Sequence, residues 1–247
     1  MKLKILIICA LLLLLLSSCG KKHITVATNA AFPPFTYFNE KNDLKGFDID
    51  LIREICQRLS LEPDFENIGF GNLFDAMELG TADCIASAIT YTPERAEIMD
   101  FSDVYYTSQQ YILMWKGNTL ETTEDLEGKR IAVQEGTAGD FYASDRDIKC
   151  MELMRWPSVD EAVNELRNQR TDVVILDSNA AEVFAGRYSD ELELITNGIF
   201  PTQQYAFAVK KGGTELLEGI NQALASIKRD GTYDRLMRRY FKTIQLD

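Results

Sequence analysis

The feature that most constrains this chain is a repeated alternation of short apolar runs with stretches of helical period. Ile24-Thr25-Val26-Ala27-Thr28, Cys84 to Ile89, Arg130 to Gln134 and Val173 to Leu176 read as strands, the apolar ones as in a buried parallel sheet. Between them, Leu51, Ile52, Ile55 and Leu59 recur at helical spacing behind Asp48 and Asp50, whose charges suit the positive end of a helix. Asn72 is suited to cap a second short helix that stops at Gly80. Ser158 and Glu161 form a capping box ahead of Val159, Ala162, Val163 and Leu166. Leu217, Ile220, Leu224 and Ile227 make a helical stripe ended by Gly231, and Thr232 is suited to cap a last helix through Leu236 to Phe241. Such alternation implies an α/β fold with mostly parallel sheets, in which ligands bind beyond the carboxyl ends of the strands. Tyr105 to Met114 is aromatic and β-prone, as a crossing between two lobes would be.

Composition removes several function classes. At 247 residues the chain suits one large domain or two small lobes, and 46% apolar residues exclude a disordered chain. With 38 acidic against 26 basic side chains, a net charge of −12 argues against nucleic acid as a partner. The one histidine, His23, is near the N-terminus, so neither a Ser-His-Asp or Cys-His catalytic pairing nor a His-rich metal site is expected. No phosphate-binding GxxxxGK[ST] loop occurs, and no cofactor or metal is expected.

Lys2 and Lys4 precede an unbroken apolar run from Ile5 to Leu16, which is shorter than the ~20 residues of a transmembrane helix. Basic start, apolar run and small residues read as a secretory signal. The ending Leu16-Ser17-Ser18-Cys19-Gly20 resembles the bacterial lipobox. The expectation is a signal over residues 1–18 and a lipid on Cys19, with 19–23 as a tether and the membrane touched through the anchor alone. Of the remaining cysteines, Cys9 goes with the signal. Cys56, Cys84 and Cys150 show no CxxC spacing; Cys56 and Cys84 sit in apolar contexts and read as buried free thiols, with a disulfide as the alternative.

Several motifs fall in order along the rest of the chain. Ala27-Thr28-Asn29-Ala30-Ala31-Phe32-Pro33-Pro34-Phe35 is followed by Gly46-Phe47-Asp48-Ile49-Asp50, Thr90-Tyr91-Thr92-Pro93-Glu94-Arg95, Val133-Gln134-Glu135-Gly136-Thr137, Leu176-Asp177 and Gly231-Thr232-Tyr233. Over residues 24–245 this order and spacing resemble the periplasmic amino-acid-binding proteins of ABC importers. The resemblance implies a two-lobed α/β fold of the type II periplasmic binding protein kind, with two mixed sheets flanked by helices and joined by two hinge strands. Lobe 1 would comprise 24–104 and 206–247, lobe 2 would comprise 110–200, and the hinges would be 105–109 and 201–205.

The resemblance also implies roles. Arg95 would grip the ligand carboxylate, for which a guanidinium fork is suited; taken alone, it reads as a surface ion pair with Glu94, Glu97 or Asp100. Asp177 would bind the ammonium, or cap the following helix, or both. The Ala88 carbonyl and the Thr90 hydroxyl would complete the ammonium site. Thr137 and the amides around it, with Ala138 contributing its amide alone, would meet the carboxylate from the second lobe; the same pattern suits an ordinary turn. Phe32 and Phe70 would wall the ligand side chain or pack in the core, while Phe35, Phe47 and Tyr105 read as core.

Asn29 and Gln134 would contact the far end of the ligand. Neutral Asn29 suits glutamine and leaves room for a guanidinium, and the acidity of the chain mildly favours a cation by steering. The implied function is capture of a polar or basic amino acid, glutamine or arginine foremost, and delivery to a membrane permease with a separate ATPase. A monomer at the bacterial cell envelope is expected. Two alternatives stay open: an amino-acid-sensing surface lipoprotein, and a dehydratase or lyase on the same fold with Glu135 as its acidic group.

Overall fold

A computed structural model of the chain describes residues 21–144, 148–196 and 200–241. The expected signal segment and Cys19 lie outside the described residues. Strand β1 (Lys22–Thr28) leads into a small antiparallel sheet of β2 (Ala31–Phe32), β3 (Thr36–Phe38) and β4 (Leu44–Lys45), followed by α1 (Phe47–Arg58), β5 (Leu61–Asn67) and α2 (Asn72–Leu79). Then come β6 (Cys84–Ile85), α3 (Pro93–Ile98), β7 (Met99–Phe101), β8 (Tyr106–Ser108), β9 (Gln110–Trp115), β10 (Arg130–Gln134) and α4 (Ala138–Ala143). The chain continues through β11 (Glu152–Trp156), α5 (Val159–Arg167), β12 (Val173–Asp177), α6 (Ser178–Arg187) and β13 (Leu192–Ile195). It returns by β14 (Gln203–Tyr205) to β15 (Ala208–Lys210), α7 (Thr214–Arg229) and α8 (Thr232–Tyr240).

Two five-stranded sheets result, ordered β5-β1-β6-β15-β7 and β11-β10-β12-β9-β13. Each has one plan. A parallel trio (β5-β1-β6, β11-β10-β12) is extended by two antiparallel pairings (β6-β15-β7, β12-β9-β13). The expectation of mostly parallel sheets therefore holds for the trios only. The reason is topological: β9 and β15 are the first strands after the chain crosses from one sheet to the other, and each enters against the direction of the trio. The crossings themselves, β8 and β14, pair antiparallel with Tyr205 opposite Tyr106 and Gln203 opposite Ser108.

Apolar side chains cover both faces of each sheet. Val26, Ile52, Ile55, Phe207 and Leu224 share one cluster and Leu73, Met77, Ile85 and Ile89 another around the first sheet. Leu113, Val163 and Leu176 lie on one side of the second, with Ile112, Val133 and Ile175 on the other. Each such side chain contributes about 1.5–3 kcal/mol by burial. Cys56 and Cys84 are buried and unbridged.

Local starts and stops differ from expectation in instructive ways. Helix α2 is capped by Gly71, with Asn72 already helical. Helix α8 is capped by Gly231, and the Thr232 amide is taken by the Asp230 carboxylate at 3.0 Å. Ser158 does cap α5, accepting from the Glu161 amide at 3.2 Å. Helix α1 begins at Phe47, after Gly46 at φ 136°, where a Cβ would lie 1.9 Å from the Phe35 carbonyl oxygen; only glycine fits. Asp48 and Asp50 stand in the first turn of α1 as expected, and Asp48 is fully buried there. The run Cys84–Ile89 is a strand only to Ile85, because Ala88 turns into the left-handed region at φ 48° and its amide leaves the ladder for the Asp48 carboxylate.

Candidate functional site

The carboxyl ends of β1, β5, β6, β10 and β12 converge between the two sheets, and residues at and beyond them line one cavity. Its lining consists of Asn29, Phe32, Phe70, Ser87, Ala88, Thr90, Arg95, Gln134, Thr137, Ala138 and Asp177. All ten residues singled out from the sequence are brought together here. Ser87 is the one addition, and its hydroxyl accepts from the Asn29 amide at 3.0 Å.

Arg95 reaches the cavity because of how α3 starts. Thr92 caps the helix, accepting from the Arg95 amide at 3.2 Å, and Pro93 occupies the first helical position. The side chain is only 6% exposed. Its Nη1 donates to the Thr90 carbonyl at 2.7 Å and its Nη2 to the Gly136 carbonyl at 2.8 Å. The guanidinium lies between the rings of Phe74 (4.7 Å) and Phe141 (5.5 Å). Asp100, a partner for the surface-pair alternative, is bonded to Lys211 at 2.8 Å instead. Burial lowers the Arg95 pKa to about 10, against the nearby charge of Asp177, so the group stays cationic at neutral pH.

Asp177 ends β12 and is the cap residue of α6, but its side chain makes no capping bond. The carboxylate is held by the Tyr205 hydroxyl, with Ser108 Oγ at 3.5 Å. Burial pushes its pKa up, opposed by the Tyr205 hydroxyl, the Gln110 amide and the Arg95 charge. Arg95 and Asp177 are the only charged residues of the lining, one from the unit of each sheet.

The two amide side chains are oriented by carbonyls. Asn29 Nδ2 donates to the Ile68 carbonyl at 2.9 Å, and Gln134 Nε2 to the Pro157 carbonyl at 3.0 Å. A carbonyl only accepts, so each NH₂ must face the protein. Each amide oxygen is then the end of the side chain opposite that carbonyl. Phe32 packs against core clusters of both sheets, and Phe70 meets Phe74 edge-on at 5.6 Å; both rings do double duty as core and wall. Thr137 caps α4 and its hydroxyl donates to the Gln134 carbonyl at 2.7 Å. That hydroxyl is spent on the turn. Helix α4 lies close to β12, since a Cβ on Gly139 would come within 2.8 Å of the Ile175 carbonyl oxygen.

Phe35, Phe47 and Tyr105 are core residues. Glu135, the acid of the enzymatic alternative, is exposed and outside the lining. Sequence reasoning missed Phe74, Phe141 and Tyr205. Phe74 follows Phe70 by one helical turn and was open to periodicity; the other two meet the site only through packing between the sheets. Among the described residues no cluster of potential metal ligands occurs.

The chain has clear relatives. It is 31% identical over 227 residues to a probable histidine-binding protein of Neisseria gonorrhoeae, covering 89% of this chain and 83% of that one. It is 30% identical over 224 residues to ABC transporter arginine-binding protein 1 of Escherichia coli K12, covering 89% and 91%. Among solved structures it matches the arginine-, lysine-, histidine-binding protein ArtJ of the thermophile Geobacillus stearothermophilus with a TM-score of 0.85 and 29% identity, over 91% of this chain and 97% of that one. These relatives are named as binding proteins and not as enzymes. The model of the bacterial extracellular solute-binding proteins, family 3, matches residues 24–243, and with two such sheets and a cleft between them the chain belongs to that family.

Proposed function

We propose that this protein captures a free L-amino acid in the cavity between its two sheets and hands it to an ABC permease driven by a separate ATPase. The observation that carries the reading is the charge pattern of the lining: one cation, Arg95, and one anion, Asp177, among aromatic walls and amides. A zwitterion supplies the complementary pair. Arg95 takes the carboxylate with a fork geometry. Asp177, the Ala88 carbonyl and Thr90 take the ammonium, and the Ala138 amide adds to the carboxylate site where the Thr137 hydroxyl is occupied.

Within that class, the far end of the site favours L-arginine. Asn29 Oδ1 and Gln134 Oε1 are both acceptors, and a guanidinium is all donors. Phe32 and Phe70 offer faces to its plane. The carboxamide of glutamine would bring an acceptor of its own, while each NH₂ here has already given one of its two N–H bonds to a main-chain carbonyl. The arginine- and histidine-binding names of the relatives support the same choice.

Lobe 1 is assigned to 24–104 with 206–247 and lobe 2 to 110–200, hinged at 105–109 and 201–205. Ligand bridging Arg95 and Asp177 stabilises the closed arrangement by its differential affinity for the two states. Residues 1–18 serve as a signal and Cys19 carries the lipid anchor, which holds a monomeric body on a bacterial membrane, facing the periplasm or the cell exterior.

The test is thermal denaturation of the protein, refolded to strip carried-over ligand, against each of the twenty amino acids. A ligand at 100 times its Kd adds roughly 2.7 kcal/mol of stability. Arginine is expected to give the largest shift. No shift with any amino acid would overturn the reading, and a larger shift with glutamine would overturn the assignment of the far end.

A further inference from the structure

Asp48 is the charged side chain that neither the fold nor the ligand contacts so far explain. It has no exposed surface and stands in the first turn of α1. One oxygen, Oδ2, accepts from the Ala88 amide at 2.6 Å and from the Tyr105 hydroxyl at 2.7 Å. The other, Oδ1, is buried without a partner. Neither hydrogen-bond partner is a cation. A buried carboxylate in this state is costly, and an apolar residue of similar size would fill the space at less expense. What the carboxylate does that an apolar residue would not is hold an amide.

That amide belongs to the residue with the most unusual backbone in the cavity. Ala88 has φ 48°, a region an alanine occupies at a cost because its Cβ crowds the following carbonyl. On either side the chain is held by ordinary ladder bonds, from the Ala86 amide to the Ala27 carbonyl and from the Ala206 amide to the Ile89 carbonyl. Between these two anchors the Asp48 bond is what takes the Ala88 amide away from the sheet.

We propose that Asp48 is a positioning residue for the ligand ammonium, holding Ala88 in the left-handed conformation that turns its carbonyl toward the cavity. The inference rests on the reading of the cavity as an amino-acid site. The Tyr105 hydroxyl, next to the first crossing strand, shares the oxygen that holds Ala88 and offsets part of the cost of burying the carboxylate.

Glycine adopts this backbone conformation without strain. A substitution at position 88 therefore separates positioning from simple support of the fold. The experiment is calorimetric titration with L-arginine and L-glutamine of the unmodified protein, Asp48→Leu, Asp48→Leu with Ala88→Gly, and Tyr105→Phe. Asp48→Leu keeps a side chain of similar size and removes the acceptor, and is expected to weaken binding about tenfold or more, the scale of a lost hydrogen bond. Adding Ala88→Gly is expected to recover most of that loss. Tyr105→Phe, which leaves the Ala88 bond in place, is expected to lower the melting temperature and keep affinity within about twofold. If the double variant binds as weakly as Asp48→Leu, or Tyr105→Phe loses as much affinity as Asp48→Leu, the inference is overturned. Should Asp48→Leu not fold alone, a folded double variant that binds near the original affinity supports the inference, and one that stays unfolded overturns it. Absence of binding by the unmodified protein would instead overturn the functional reading on which the inference rests.

Discussion

The guanidinium of Arg95 donates to the main-chain carbonyl of Gly136 at 2.8 Å, a bond from the unit of the first sheet to the loop ahead of α4 in the second. The same side chain donates to the Thr90 carbonyl at 2.7 Å, so its plane is held in part from within its own unit. A fork held in this way is preorganised, and less conformational freedom is lost on binding.

Replacing this fork should therefore abolish recognition of every amino acid alike. Arg95→Ala is expected to weaken binding by at least about 100-fold. Arg95→Lys is expected to fall in between, because an ammonium cannot bond Thr90, Gly136 and a carboxylate in one plane. Titration calorimetry against arginine, lysine, histidine and glutamine distinguishes this from a selectivity role. A variant that merely changed the preferred ligand would remove Arg95 from the carboxylate site.

Tyr205 and Asp177 make a second testable pair. The Tyr205 hydroxyl pulls down a carboxyl pKa that burial pushes up. Without it, the Asp177 pKa should rise further, and the carboxylate should lose its charge at a higher pH. Tyr205→Phe is thus expected to bind nearly normally in mildly alkaline buffer and to lose affinity on acidification earlier than the unmodified protein. Parallel affinity–pH profiles for the two would count against the assignment.

Selectivity should respond at Asn29. Asn29→Asp places a charged acceptor at the far end of the site and is expected to raise the arginine-to-glutamine affinity ratio. Asn29→Leu removes the acceptor, leaves the Ile68 carbonyl without its donor, and is expected to lower that ratio. Competition titration reads both. An unchanged ratio in both variants would remove Asn29 from the selective contacts.

Asp48 should make stability depend on pH in an unusual direction. Burial raises its pKa to about 7 in the folded protein, with the Ala88 and Tyr105 hydrogen bonds pulling the other way; the unfolded value is 3.8. The titratable neighbours it influences are Tyr105, Cys84 and Tyr233. Burial raises the pKa of all three, which keeps them neutral across this range. Between the two Asp48 values the folded state binds the extra proton, so this group's contribution to stability falls as pH rises through that window and levels off above about 7. Asp48→Asn has no such titration. Its stability relative to the unmodified protein should therefore improve from pH 5 to pH 8 in denaturant melts, and a constant difference would refute the assignment.

Gly46→Ala tests the turn into α1. The added Cβ would meet the Phe35 carbonyl and an unfavourable φ together. A loss of about 3 kcal/mol or more in unfolding free energy is expected, with the melting temperature as the readout.

What was legible from residues alone is the part governed by local period and by order along the chain. Apolar runs alternating with helical stripes require α/β layers, because each face must be buried against a neighbour. The resemblance to the amino-acid-binding proteins then pointed to Asn29, Ala88, Gln134 and Asp177, at or near strand ends, where ligands gather. Three-dimensional packing decided the rest. The reversal of β9 and β15 follows from where the chain crosses between sheets, and local pattern carries no record of that. Asp48 reads locally as a helix-end charge; the approach of Ala88 and Tyr105 from elements far along the chain makes it a buried anchor. Phe141 meets Arg95, and Tyr205 meets Asp177, only when the two sheets come together. Hydrogen bonds and desolvation depend on distances of a few ångströms between residues distant in the chain, and folding alone sets those distances.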